Sequence, residues 1–196
     1  MIEVLLSPRC VRKLKRELRA AGPNEIGGVL AAEHTADGKF LVRDLSVQRN
    51  GTPSSFVRDP AQHRSFMRRF HLITGNRPER FNYLGEWHSH PSFPALPSLP
   101  DLHQMHVEIH DPEQPSTFLV LLIVKLGLDG GLIGSARAFR RTHPPVRVML
   151  GASESSSVRE EVGLVALGLR RGLQHDQGSR PTDMRKFQSP SWRKFT

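Results

Sequence analysis

Residues 84–101 read Leu-Gly-Glu-Trp-His-Ser-His-Pro-Ser-Phe-Pro-Ala-Leu-Pro-Ser-Leu-Pro-Asp, and three side chains in this stretch suit a zinc ion: His88, His90 and Asp101. Residues 81–89, rich in aromatic side chains and free of proline, read as a strand. Alternate side chains of a strand share a face, so both imidazoles can reach one metal. Pro91, Pro94, Pro97 and Pro100 stiffen the segment that follows through their fixed φ angles and stop the strand. Ser98-Leu99-Pro100-Asp101 is a helix start, with Ser98 as N-cap and Asp101 at the third helical position. Asp101 is thereby held on a rigid first turn that faces back toward the histidines. Two imidazoles and one carboxylate leave the fourth position of a tetrahedral zinc open to water, as hydrolytic zinc requires.

Each of these residues has a duller reading alone. His-x-His occurs on ordinary strands, Ser98 serves as a helix cap, and Asp101 completes a capping box. His63, His71, His103, His106, His110, His143 and His175 read as surface or supporting residues among the ten histidines. The combination of a paired histidine, a short stiff loop and a carboxylate at a helix start is what points to a metal. Other zinc patterns are missing: there is no His-Glu-x-x-His helix and no Pro-Cys-x-x-Cys partner of a nucleobase deaminase. A Ser–His–Asp triad built on Ser89 or Ser98 lacks a Gly-x-Ser-x-Gly elbow.

Hydrolysis also needs a general base. Glu86 shares the strand face of His88 and His90 by its period of two. Glu25 lies in Asn24-Glu25-Ile26-Gly27-Gly28, at the start of another predicted strand. Spacing does not choose between them. The paired glycines indicate either close backbone approach beside Glu25 or a β-bulge.

The elements that must position these groups are legible in outline. Ser7-Pro8 starts a helix, Val11, Leu14 and Leu18 form its apolar stripe, and Gly22-Pro23 ends it. Ile26–Ala32 and Phe40–Val47 read as strands joined at Asp37-Gly38. Residues 50–60 read as loop, and Ala61–Ile73 as a helix with Phe66, Phe70 and Ile73 on one stripe. A helix is expected from about Pro100 to Ile109. The unbroken apolar run in Thr117–Leu126 predicts a central strand buried on both faces. Leu132–Arg140 and Val146–Leu150 are further strand candidates. Residues 151–157 read as a linker, Val158–Leu173 as a helix, and 174–196 as a basic disordered tail.

Composition narrows the class. The chain has 196 residues and one cysteine, Cys10, which excludes an internal disulfide and a multi-cysteine zinc site. No run of eighteen apolar residues occurs, so no membrane-spanning helix is expected, and the N-terminus is too short and acidic for a secretory signal. These features suggest a cytoplasmic protein. The net charge of +9 is concentrated in residues 9–19 and 168–196, each with a net of +5. An acidic partner or a nucleic acid would suit such segments, but no nucleic-acid motif accompanies them and solvated surface is the simpler account.

His88-Ser89-His90, seven residues, Ser98, two residues and Asp101, with Glu25-Ile26-Gly27-Gly28 upstream, resembles the JAMM (MPN-plus) metalloprotease family. The likeness is to its prokaryotic Prok-JAB branch. Ser55-Phe56-x-x-Asp59-Pro60 and the order of elements over residues 1–150 fit as well. The resemblance implies an α/β fold, a mixed sheet flanked by helices of the JAB/MPN, cytidine-deaminase-like type. It implies one zinc ion on His88, His90 and Asp101, with Glu25 as general base and Ser98 stabilising the oxyanion. Glu86 would then play a supporting or substrate-side part. Members are isopeptidases that remove ubiquitin or ubiquitin-like proteins. Tyr83-Leu84-Gly85-Glu86-Trp87-His88 is similar to bacterial members encoded beside ubiquitin-like activating and conjugating enzymes, some in antiphage defence operons. The proline-rich loop lacks a cysteine that several eukaryotic members carry there. The alternatives are a catalytically inactive MPN-type scaffold and a nucleic-acid-binding accessory protein acting through its basic ends.

Overall fold

Ser7 accepts the Cys10 amide through its hydroxyl, and Pro8 occupies the first turn, so helix α1 (Pro8–Ala21) begins where the Ser-Pro pair sets it. The computed structural model describes residues 1–56, 58–153 and 158–161. Before α1 runs a short strand, β1 (Glu3–Leu6). After it come β2 (Gly27–Ala36), β3 (Lys39–Leu45), α2 (Pro60–Ile73), β4 (Phe81–Ser89), α3 (Leu99–His110), β5 (Phe118–Leu126), β6 (Leu132–Arg140), β7 (His143–Ala152) and β8 (Val158–Glu160).

The strands pair in the order β5-β4-β2-β3-β1-β7-β6-β8, and β5 also pairs with β6. That extra pairing closes seven strands on themselves. The expectation of a mixed sheet flanked by helices is therefore corrected in one respect: the sheet is mixed but curled into a closed, barrel-like ring. Two apolar clusters follow from the curl. One face of the strands, with Val4, Leu30, Trp87, Val120 and Leu122, packs with Val11, Leu14 and Leu18 of α1. The other face, with Val29, Tyr83, Leu119 and Leu121, packs with Met67 and Phe70 of α2 and Met105 and Ile109 of α3. Strand β5 contributes alternate residues to both clusters, which is why its sequence is an unbroken apolar run.

Local details depart from the sequence reading in four places. Strand β1 is absent from that reading because four residues are too few to carry a periodicity; it lies between β3 and β7 and runs parallel to both. On α2 the buried residues are Met67 and Phe70, whereas Ile73 is exposed at the last turn. Gly151 and Ala152 continue β7 rather than begin a linker. Val158–Glu160 is a strand, not the first turn of a helix, and it lies parallel to Leu132–Gly134 of β6. The remainder of the expected helix and the expected basic tail lie outside the described residues.

Backbone crowding holds the strands that carry the site. A Cβ on Gly28 would lie 2.3 Å from Ser46 O, and one on Gly27 would lie 2.7 Å from both Trp87 O and the Phe56 ring. The bulges of β2 fall near Leu30–Ala32 and His34–Ala36 instead. The glycine pair thus serves close approach, the first of the two readings its sequence allowed. No helix among the described residues is long and apolar enough to cross a membrane.

Candidate metal centre

The end of strand β4 delivers His88 and His90 to the outer face of the ring, while Trp87, just before them, turns inward and donates from Nε1 to Ser46 O at 2.9 Å. Ser89 is fully buried; its hydroxyl accepts the Ile26 amide at 2.9 Å, and its own amide donates to Ile26 O at 2.8 Å. The residue between the two histidines is therefore a fastener for the start of β2, and no nucleophile. That fastener sets Glu25 beside the histidines. The Glu25 amide also donates to Thr52 O at 2.8 Å, which draws residues 50–56 toward the site.

Asp101 arrives from α3. Ser98 and Asp101 form a complete capping box: the Ser98 amide donates to Asp101 Oδ2 at 2.7 Å, and the Asp101 amide donates to Ser98 Oγ at 3.3 Å. The capping and ligand readings of Asp101 are thus compatible. His88 Nε2 lies 3.1 Å from Asp101 Oδ1, and His90 Nε2 lies 3.5 Å from Asp101 Oδ2. One ligand atom from each of His88, His90 and Asp101 lies within 4.8 Å of the others. Two donors on one tetrahedral zinc, each about 2.1 Å from it, sit about 3.4 Å apart, a value the two separations bracket. The donor set and its geometry fit zinc.

Electrostatics agree with that fit. Burial pushes His88 below its ordinary value, against the pull of Asp101. Burial acts on His90 as well, but hydrogen bonds with Asp101 and Pro94 O outweigh it and the net shift is upward. Burial opposes ionisation of Asp101, yet His88, His90 and Ser98 hold its carboxyl well below the usual carboxylate range. His90 Nδ1 lies 3.1 Å from Pro94 O, so Nδ1 carries the proton and Nε2 is left free for a metal.

A cavity of about 690 Å³ opens over these groups, lined among others by Glu25, Ser98, Phe93, Leu96, Phe56 and Arg58. Glu25 is buried at 6% exposure. Burial raises its carboxyl; the negative charge of Asp101 adds to that and His90 opposes it. Ser98 lines the same cavity, but its hydroxyl donates to Asp101 Oδ2 at 2.6 Å. To serve an oxyanion it must turn away from Asp101.

Glu86 does not line this cavity. It faces a second one of about 460 Å³ with Tyr83, Met67 and Glu108, and it is ion-paired with Arg58. Of the two glutamates that spacing left open, Glu25 lines the cavity over the clustered ligands and Glu86 does not. Burial raises the Glu86 carboxyl to about 8; the charge of Glu108 adds to this and Arg58 opposes it. A carboxyl raised from 4.5 stabilises the fold fully below 4.5, and that contribution is lost as the pH rises through 8. Thermal melts of the chelated protein are therefore expected to fall across this window, and Glu86→Gln should flatten the slope. An unchanged slope in the variant would show that Glu86 titrates as it does in the unfolded chain.

Sequence reasoning missed Arg58, Lys125 and Glu161. Lys125 donates to Phe93 O at 3.0 Å, and the Glu161 carboxylate accepts from the Ala95 amide. Arg58 stands one residue before the Asp59-Pro60 helix start, and nothing in its spacing marks it. Glu161 lies in a stretch read as helix.

The chain matches the family of prokaryotic homologs of the JAB domain over residues 7–141. This match covers more than half of the chain, and the protein belongs to that family. Among solved structures, a protein from Desulfitobacterium hafniense solved in solution is similar, with a TM-score of 0.55 at 21% identity, covering 78% of this chain and 94% of that one. This likeness shows the fold. A Salinibacter ruber protein matches with a TM-score of 0.47 at 22% identity, covering 78% of this chain and 94% of that one. A JAB1/MPN domain protein from Archaeoglobus fulgidus matches with a TM-score of 0.40 at 18% identity, covering 74% of this chain and 97% of that one. No curated protein sequence matches the chain.

Proposed function

We propose that this protein is a zinc-dependent peptidase that hydrolyses the amide or isopeptide bond following the C-terminus of a ubiquitin-like protein. The observation that carries the reading is the convergence of His88, His90 and Asp101 within 4.8 Å, in a cavity that Glu25 also lines. When bound, zinc polarises the scissile carbonyl and acidifies water. Glu25, whose carboxyl burial raises above its ordinary value, accepts the proton of the attacking water and passes it to the leaving amine. Ser98 hydrogen-bonds the oxyanion once its hydroxyl turns from Asp101.

The closed ring constrains how a substrate is held. Strands β4 and β5, next to the ligands, are each paired on both sides, so no strand edge is free there for an added chain. The C-terminal tail of the substrate passes between residues 54–56 and the proline-rich loop, along Phe56, Phe93 and Leu96. Activating and conjugating enzymes of the same modifier are the further partners this reading implies, and antiphage defence is one setting for it.

The test uses the full chain. It is expected to hold about one zinc equivalent and to cleave a ubiquitin-like protein fused through its C-terminus to a reporter. Cleavage should stop with 1,10-phenanthroline and return with added zinc. A purified chain without zinc or cleavage would instead be an inactive MPN-type scaffold.

A further inference from the structure

The Pro94–Ala95 peptide group lies between two side chains. Its oxygen, Pro94 O, is 3.1 Å from His90 Nδ1, and its N–H, on Ala95, donates to the Glu161 carboxylate. Strand β8 brings Glu161 there: Val158–Glu160 pair with Leu132–Gly134, and the Glu161 amide donates to Gly134 O at 2.9 Å. Ala95 is fully buried, and its own carbonyl accepts from Ser135 Oγ at 2.6 Å. Prolines at 91, 94, 97 and 100 fix φ but leave ψ free, and they remove four amide donors from this segment. Ala95 is one of the six residues of 91–100 that keep an N–H. Glu161 lies beyond residue 141, where the family match ends.

We propose that Glu161 is a positioning residue for His90, acting through the Pro94–Ala95 peptide. A carboxylate on the N–H of a peptide pushes electron density onto its carbonyl, and hydrogen bonds in such a chain reinforce one another. Pro94 O then accepts more strongly from His90 Nδ1–H. The imidazole is held in one tautomer, and its Nε2 becomes a better donor to a metal. Carboxylates commonly perform this service for metal-bound histidines by direct contact; here one peptide group is interposed. The inference rests on the reading of His90 as a metal ligand.

Three variants of the full chain test it, with zinc alone as the probe, competed against a chromogenic chelator. Glu161→Ala is expected to weaken zinc binding about tenfold. In the zinc-free protein the same variant should reduce the Nδ1–H tautomer of His90 seen in imidazole ¹⁵N spectra. Glu161→Gln keeps the shape and an accepting oxygen, so it should fold normally and restore part of both signals. Ser135→Ala loosens the neighbouring peptide without touching the relay, and its zinc affinity should stay within about twofold of wild type.

Unchanged zinc affinity and an unchanged His90 spectrum in Glu161→Ala would overturn the relay. So would an equal loss in Ser135→Ala, which would reduce the effect to loop anchoring. If the wild-type chain binds no zinc, the metal reading fails. The His90 spectrum of the zinc-free Glu161→Ala variant still decides the relay: a reduced Nδ1–H signal upholds it and an unchanged one sinks it.

Discussion

Glu25→Gln is expected to lower hydrolysis of a ubiquitin-like fusion by about 10²- to 10⁴-fold while zinc remains bound. The argument rests on what the substitution keeps. Glutamine fills the same buried space, and Glu25 is not among the three clustered ligands, so their donors stay in place. What is lost is a carboxylate able to take a proton. Burial already disfavours its charged form, so a neutral amide there imposes no new desolvation cost. The loss should appear in kcat/KM, with unchanged zinc content measured by elemental analysis and an unchanged melting temperature. A variant that loses zinc as well would make Glu25 a ligand. If Glu86→Gln abolishes turnover and Glu25→Gln does not, the base is Glu86.

His88→Ala should weaken zinc binding by at least about 100-fold, more than the loss of any supporting contact brings. His88 is buried at 5% exposure, and its Nε2 faces Asp101 Oδ1 at 3.1 Å. Its removal leaves one imidazole and one carboxylate, too few to outcompete water for the ion. The variant also removes a hydrogen-bond partner from half-buried Asp101, at a cost to the zinc-free fold of about 1 kcal/mol. Comparing melting with and without zinc separates the two effects. Wild type should gain about 4 kcal/mol at a zinc concentration a thousand times its dissociation constant, and His88→Ala should gain almost nothing. An equal gain in both would remove His88 from the metal site.

The ligand set was legible because every part of it is local. His88 and His90 share a face by the strand period, and Ser98 and Asp101 share a turn by the helix-start pattern. Both are set by backbone geometry within a few residues. The same holds for the Ser7-Pro8 start of α1, the Asp37-Gly38 hairpin and the buried run of β5. Glu25 entered the site by resemblance; its placement comes from the pairing of Ile26 with Ser89, sixty-three residues apart.

Other features depend on pairings that no local pattern encodes. Strand β1 is stable only because β3 and β7 flank it, and the ring closes only because β5 meets β6 as well as β4. Glu86 and His88 share a strand face, yet Glu86 lines a separate cavity with Tyr83 and Glu108 and is ion-paired with Arg58. Glu161 reaches Ala95 only through the short strand β8. The sequence by itself determined which residues can hold a metal and the rigid turns that present them, because short-range backbone preferences suffice for that. Only the tertiary structure decided which glutamate meets the metal site and what supports its loop, because those choices depend on closing long stretches of chain against one another.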